Sequence, residues 1–337
     1  MTKNILHIGF HLGLANELYY IAEKLKLDMT FMKFTDGVST GAKLYNIGHN
    51  RAEVAWNNNK DFYNKFDIII TSDTCPISRV FLQNNYQGYL IIYVCNRFDY
   101  YDRTSLDCDF PDKEYYDLIN TAKSRKNVKI ISYTEFEHVY AKIFRHVDIG
   151  NQVIKPIGKI SNEYLNKSFK KVGNTSVPKD TENLFFVPPY HNDTILMNLS
   201  RKLNELNIPN YTGKYQGPQE LINFKGIIHI PYAWSNIALF ENIQLGIIYF
   251  VPTMNFLLKL KRVGNFYWTP PFSVEYLKLS EWYCESHKNI LIYFDSWKDL
   301  QNKVKNLDYE KQKTTIKEFA KKHEIIMLDK WKKYLTI

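Results

Sequence analysis

The stretch His229–Thr253, HIPYAWSNIALFENIQLGIIYFVPT, limits what this chain can fold into more than any other. The apolar run at 226–230 leading into it has the length and composition of a buried strand. An elbow of Pro231, Tyr232, Ala233 and Trp234 follows. Ser235 then stands where an N-cap belongs, opening a run of helix formers that stops at Gly246. The β-branched and aromatic run at 247–251, closed by Pro252, reads as a second strand. Strand, helix and strand with joints this short make a right-handed βαβ unit, which requires a parallel sheet. Ligands of open parallel sheets lie at the carboxyl ends of the strands, against the first turn of the next helix. Tyr232, Trp234, Ser235 and Asn236 are therefore expected at a site and not in a core.

The same alternation runs through the rest of the 337 residues. That length exceeds what one core usually serves, so two domains are expected. In the first half, strands are expected at 3–10, 29–34, 67–71, 89–95, 128–133 and 152–156. Helices are expected at 16–27, 112–123 and 135–144. The turn after the first strand runs from Gly9 to Gly13 and lacks the glycine spacing of a dinucleotide fingerprint. A polar, lysine-bearing segment without apolar period reads as a linker. A second alternation begins at Leu184, with strands at 184–187, 209–212 and 291–294 around the opening stretch. The expected layout is 1–165 as one Rossmann-like domain, 166–183 as linker, 184–310 as a second such domain, and 311–337 as a basic terminal helix.

Glu241, four residues, Gly246, one residue and an apolar strand resemble the nucleotide-sugar signature of glycosyltransferases with the GT-B fold. That resemblance implies two Rossmann-like domains facing across a cleft, with the terminal helix crossing back onto the first. It implies that Glu241 accepts hydrogen bonds from the donor's ribose hydroxyls, and that Gly246 lets the helix end against the next strand. Ala233 stands eight positions before Glu241, where many of these enzymes carry a second acidic residue, and Ile248 replaces the usual proline. On the residues alone, Glu241 sits among Leu239, Phe240, Ile243 and Leu245, and a carboxylate in apolar surroundings needs a partner.

The remaining candidates follow from the same layout. Donor phosphates require positive charge or N–H groups at helix starts. The loop carrying Tyr190 and His191 and the loop carrying Lys214 are placed to supply them, with His191 standing where the resemblance implies basic residues. On the acceptor side His11, between Gly9 and Gly13, is the first candidate for the general base of an inverting transfer. Asp73 and Asp99 follow strands and are rival bases, and Arg97 either lines the acceptor loop or pairs with Asp99. Asp107-Cys108-Asp109 spells the metal-binding triplet of a different glycosyltransferase fold, but in a polar loop with no strand before it, so no metal is expected. Phe266, Tyr267, Trp268, Trp282 and Tyr283 are aromatic enough to stack a ring, though core packing is the commoner fate.

The net charge of +9 suits an anionic partner. The basic residues are scattered, however, and nucleic acid is not expected. The four cysteines have no paired spacing, so reduced thiols in a cytoplasmic compartment are expected. No run of apolar residues is long enough to span a bilayer, so any contact with a lipid-linked substrate is made from the membrane surface. The expected activity is transfer of a sugar from a UDP- or GDP-linked donor to a hydroxyl, on a glycan or lipid-linked acceptor, without a cofactor. The rivals are a nucleotide-sugar epimerase of the same fold and a catalytically silent nucleotide- or glycan-binding module.

Overall fold

The structure is a computed structural model, and it describes residues 3–35, 47–73, 75–95, 98, 111–161, 177–178, 180–191, 197–215, 217–261 and 273–336. The chain forms two compact units. The first comprises Met1–Pro156, Ile160–Leu165 and Ile326–Ile337; the second comprises Ile157–Lys159 and Asn166–Ile325. Each is built on a five-stranded sheet in which every pairing is parallel.

The first sheet holds β1 (Asn4–Gly9), β2 (Asp28–Lys33), β3 (Ile68–Thr71), β4 (Tyr89–Val94) and β5 (Val128–Ser132), in the order β2-β1-β3-β4-β5. The second holds β6 (Phe185–Val187), β7 (Asn210–Thr212), β8 (Gly226–Ile228), β9 (Tyr249–Pro252) and β10 (Leu291–Phe294), in the order β7-β6-β8-β9-β10. The two orders are the same winding: in each, the first strand lies between the second and the third. The central strands are buried throughout, as in β3, β6 and β8. Parallel sheets covered on both faces read this way, as continuous apolar runs. Two doubly wound parallel units in one chain is the α/β architecture expected from the sequence.

Several elements differ from expectation in ways that bear on the site. The first helix covers Leu12–Leu25 with His11 as its N-cap, so Gly13 lies in the first helical turn and not in a loop. The segment at 152–156 forms no strand and meets the sheet by a single bridge, Ser132 to Val153. The helix His49–Tyr63 was not expected, because HNRAEVAWNNNKDFY buries only Ala52, Ala55 and Tyr63 and shows little apolar period. Most of the expected linker, at 166–176 and 179, lies outside the described residues.

The terminal helix is Tyr309–Leu335. Its last turns belong to the first unit, where Trp331 is fully buried. The Trp331 ring stands edge-on to Tyr93 at 5.0 Å, and the Tyr93 hydroxyl donates to the Ile154 carbonyl at 3.0 Å. No described helix is long and apolar enough to cross a membrane.

Candidate functional site

Where the strand order reverses, neighbouring strands send their exit loops apart, and the crevice between those loops is where doubly wound sheets hold ligands. In the second unit the reversal falls between β6 and β8. The residues after β6 are Pro188, Pro189, Tyr190 and His191; those after β8 are His229, Ile230, Pro231 and Tyr232. His191 joins the two exits. Its Nε2 accepts the Ile230 N–H at 2.9 Å, which leaves Nδ1 to carry the proton and donate to the Pro188 carbonyl at 3.0 Å. Burial pushes this imidazole down to about 4, so it is neutral at ordinary pH. His191 is thus a neutral tie between the two exits. His229 packs beside it, stacked on Trp282 at 4.5 Å, buried and held well below the usual imidazole range by desolvation.

The helix after β8 is Ile237–Gln244, and its N-cap is Asn236, not Ser235. The Asn236 side chain accepts the Ala238 N–H at 3.0 Å, and its amide donates to the Tyr232 hydroxyl at 3.2 Å. The Asn236 backbone N–H in turn donates to Glu281 Oε2 at 3.0 Å, a fully buried carboxylate forty-five positions away. At its other end the helix closes with Gly246 at φ +75°, its N–H donating to Ile243 O and the Ile247 N–H to Asn242 O. This paired closure needs a left-handed residue, which explains a glycine at that position.

Glu241 lies on the second turn of this helix, partly buried. Burial alone raises its carboxyl from 4.5 to about 7, and no described residue hydrogen-bonds to it or pairs with its charge. Tyr215 and Tyr249 lie near enough to feel its charge. Tyr215 is pushed up to about 12 by burial, then by Glu241 and Tyr190. Tyr232 is likewise pushed up to about 12 by burial, then by Tyr190 and Tyr215. Tyr249 is raised by burial and, more weakly, by Tyr215, Glu241 and Tyr232. Tyr190 is 55% exposed and lies 5.7 Å from the Tyr232 ring, the outward lip of the group. A carboxyl that no described residue hydrogen-bonds can accept hydrogen bonds from the hydroxyls of a ligand.

In the first unit the reversal falls between β1 and β3, and the exits are Gly9-Phe10-His11 and Ser72-Asp73. Asp73 adopts φ +67°, and its Oδ2 accepts the N–H groups of Phe10 at 2.5 Å and His11 at 2.8 Å. Its pKa is raised by burial, against the lowering effect of those two N–H groups and of His11. Behind it, His7 Nε2 meets the Ser72 hydroxyl at 2.7 Å, and burial takes His7 down to about 3. Gly9 is required by contact: a Cβ there would lie 2.6 Å from Ser72 Oγ and 2.8 Å from Asp73 Oδ2. His11 remains exposed at the helix start, with no cap hydrogen bond from its side chain.

In the second unit Tyr190, Tyr232 and Asn236 lie together and His191 ties the two exits, while Glu241 lies further along the helix that Asn236 caps. Trp234 is buried, so it belongs to the core and not to the site. Lys214 is exposed after β7. The first unit gathers Gly9, His11 and Asp73. Arg97, Asp99, the 107–109 triplet and the aromatics at 266–268 lie outside the described residues. Among the described residues no group of three or more His, Cys, Asp or Glu side chains could hold a metal ion. Sequence reasoning missed His7, Ser72, Tyr215, Tyr249 and Glu281. His7 meets Ser72 and Glu281 meets Asn236 across long intervals, and no local spacing announces that.

No known protein family and no curated protein matches the sequence. Solved structures do resemble it. One is Arabidopsis thaliana UGT89C1 complexed with UDP, at 9% identity and a TM-score of 0.46 over 99% of this chain and 100% of that one. A putative UDP-N-acetylglucosamine 2-epimerase from Listeria monocytogenes gives 9% identity and a TM-score of 0.47 over 95% and 91%. The pneumococcal O-GlcNAc transferase GtfA, in complex with UDP and GlcNAc, gives 10% and 0.43 over 84% and 59%. Identities this low leave those activities with those proteins, and the fold described above rests on its own strand order.

Proposed function

We propose that this chain is a glycosyltransferase that takes a sugar from a nucleoside diphosphate donor and passes it to a hydroxyl acceptor on a glycan or lipid carrier. The observation that carries this reading is Glu241, a partly buried carboxyl on the helix that follows β8, with no partner among the described residues. Ribose hydroxyls are the donors it lacks, and two hydrogen bonds to an ionised carboxylate are worth about 1.5–3 kcal/mol each. Tyr190 and Tyr232 offer the faces against which a base or sugar lies, and Lys214 reaches for the diphosphate. UDP and GDP are the candidate nucleotides. In the first unit His11 takes the acceptor proton, and Asp73 is a positioning residue that holds the loop carrying it. The reading calls on no metal and no organic cofactor.

Thermal-shift and calorimetric titrations of the full chain with UDP and GDP test it. A true donor nucleotide at 100 times its Kd adds about 2.7 kcal/mol of stability. Glu241→Ala removes most of that shift, whereas His11→Ala keeps it and slows transfer. A full shift in Glu241→Ala overturns the ribose assignment. Donor turnover without acceptor replaces transferase with epimerase, and binding with no release of nucleotide across many acceptors replaces it with a binding module.

A further inference from the structure

A helix that follows a strand of a parallel sheet ordinarily offers its first N–H groups to a phosphate, because they lack partners inside the helix and carry partial positive charge. Each unit has such a helix at its strand reversal: Leu12–Leu25 after β1 and Ile237–Gln244 after β8. In both, a carboxyl from elsewhere in the same unit takes N–H groups that a phosphate would use.

In the first unit that carboxyl is Asp73, which comes from the exit of β3. One oxygen, Oδ2, accepts the N–H of Phe10 and the N–H of His11, the N-cap of the helix. The carboxyl is held there from both sides. Asp73 takes a left-handed backbone, and Gly9 leaves the space, since a Cβ on it would lie 2.8 Å from the same oxygen. Whatever its charge, the carboxyl occupies both N–H groups, and when ionised it also repels a phosphate brought to this turn.

In the second unit the closure goes further. Glu281, fully buried, accepts the Asn236 N–H on Oε2 at 3.0 Å. The Asn236 side chain accepts the Ala238 N–H at 3.0 Å, and its carbonyl accepts the Leu239 N–H at 3.0 Å. The segment carrying Glu281 is stitched to the loop ahead of the helix by two more bonds. The Glu281 N–H donates to the Trp234 carbonyl at 3.2 Å, and Trp282 Nε1 donates to the Ala233 carbonyl at 3.0 Å. A buried carboxyl anchored by its own backbone in this way does not swing aside for a ligand. A diphosphate then has to rely on side-chain charge, such as that of the exposed Lys214.

We infer that Asp73 and Glu281 bar phosphate from the helix starts at both strand reversals, so that a nucleotide donor is gripped through its nucleoside. The part concerning the donor rests on the function proposed above; the closure of the helix starts does not. Two titrations of the full chain test this. Inorganic pyrophosphate, followed by the amide resonances of the isotopically labelled protein, leaves Phe10, His11 and Asn236 unmoved. Asp73→Gly suits the left-handed backbone and empties the first helix start, so there pyrophosphate moves the Phe10 and His11 amides saturably and still leaves Asn236 unmoved. Calorimetry with uridine, UDP, guanosine and GDP finds each diphosphate within about tenfold of its nucleoside, the scale of one exposed ion pair. The inference is overturned if pyrophosphate moves any of these amides saturably in the unsubstituted chain, or if folded Asp73→Gly is as blind to pyrophosphate as that chain. It is also overturned if a diphosphate binds about a hundredfold more tightly than its nucleoside. Should no nucleoside and no nucleotide bind, the donor reading fails, and the pyrophosphate titration still decides whether the helix starts are closed.

Discussion

At the scale of the residue, Glu241 makes stability depend on pH. Its carboxyl titrates near 4.5 when free and near 7 in the fold, so the native state holds a proton that the unfolded chain gives up. Stability from this group is fully present below 4.5 and is lost as pH rises through about 7. Glu241→Gln keeps the neutral shape at every pH. It should therefore stabilise the unliganded protein by roughly 2–3 kcal/mol at pH 8, with the gain fading towards pH 4.5. Urea melts at several pH values read this directly, and a gain of equal size at pH 4.5 and pH 8 would disprove the assignment. On the proposed function the same substitution should also weaken nucleotide binding, a site kept at the expense of the scaffold. Glu241 was legible in the sequence, because a glutamate among apolar helical neighbours is visible in one dimension. The pairing of His7 with Ser72 was not, because sixty-five positions separate them and only the β1–β3 register joins them.

At the scale of the element, the helix Ile237–Gln244 is positioned by two glycines with different physical reasons. Gly246 ends it in the left-handed region, and the atoms nearest an added Cβ are those of the flexible Lys317 side chain. Gly158, at φ +80°, lies against the helix backbone, where an added Cβ would be 2.2 Å from Phe240 C and 2.4 Å from Glu241 N. Gly246→Ala should cost about 1–2 kcal/mol, the ordinary penalty for an L-residue in that region. Gly158→Ala carries the same penalty and must also displace backbone, so it should cost more and should weaken nucleotide binding through Glu241. Chemical denaturation with nucleotide titration of both variants checks the order, and equal effects would contradict it. Gly246 could be read from its place after the helix. Gly158 could not, since its partner is a helix eighty residues on. The N-terminal end tells the same story: Ser235 looked like the cap, but Asn236 takes the position because its backbone N–H is held by the distant Glu281.

For the whole molecule, the repeated strand alternation was legible from runs such as Ile68–Thr71 and Tyr89–Val94, because strands buried on both faces leave continuous apolar stretches. The shared winding of the two sheets was not, since strand order depends on crossovers that periodicity does not record. Nor did the sequence reveal that residues 157–159 belong to the second unit while their neighbours on both sides belong to the first. Trp331 offers a test at this scale. Trp331→Ala should cost about 3–5 kcal/mol, as a buried tryptophan does. Hydrogen exchange should rise at Tyr89–Val94 and Val128–Ser132 and stay unchanged at Phe185–Val187 and Gly226–Ile228, and uniform exchange across both sheets would refute it. The place of Trp331 also bears on how the protein is made. The amino-terminal half leaves the ribosome first, yet the ring that fills its core against Tyr93 is translated more than two hundred residues after it. At roughly 5–20 residues per second, the nascent first unit waits on the order of ten to thirty seconds with that socket open. Apolar surface left uncovered in this way is the kind that chaperones shield.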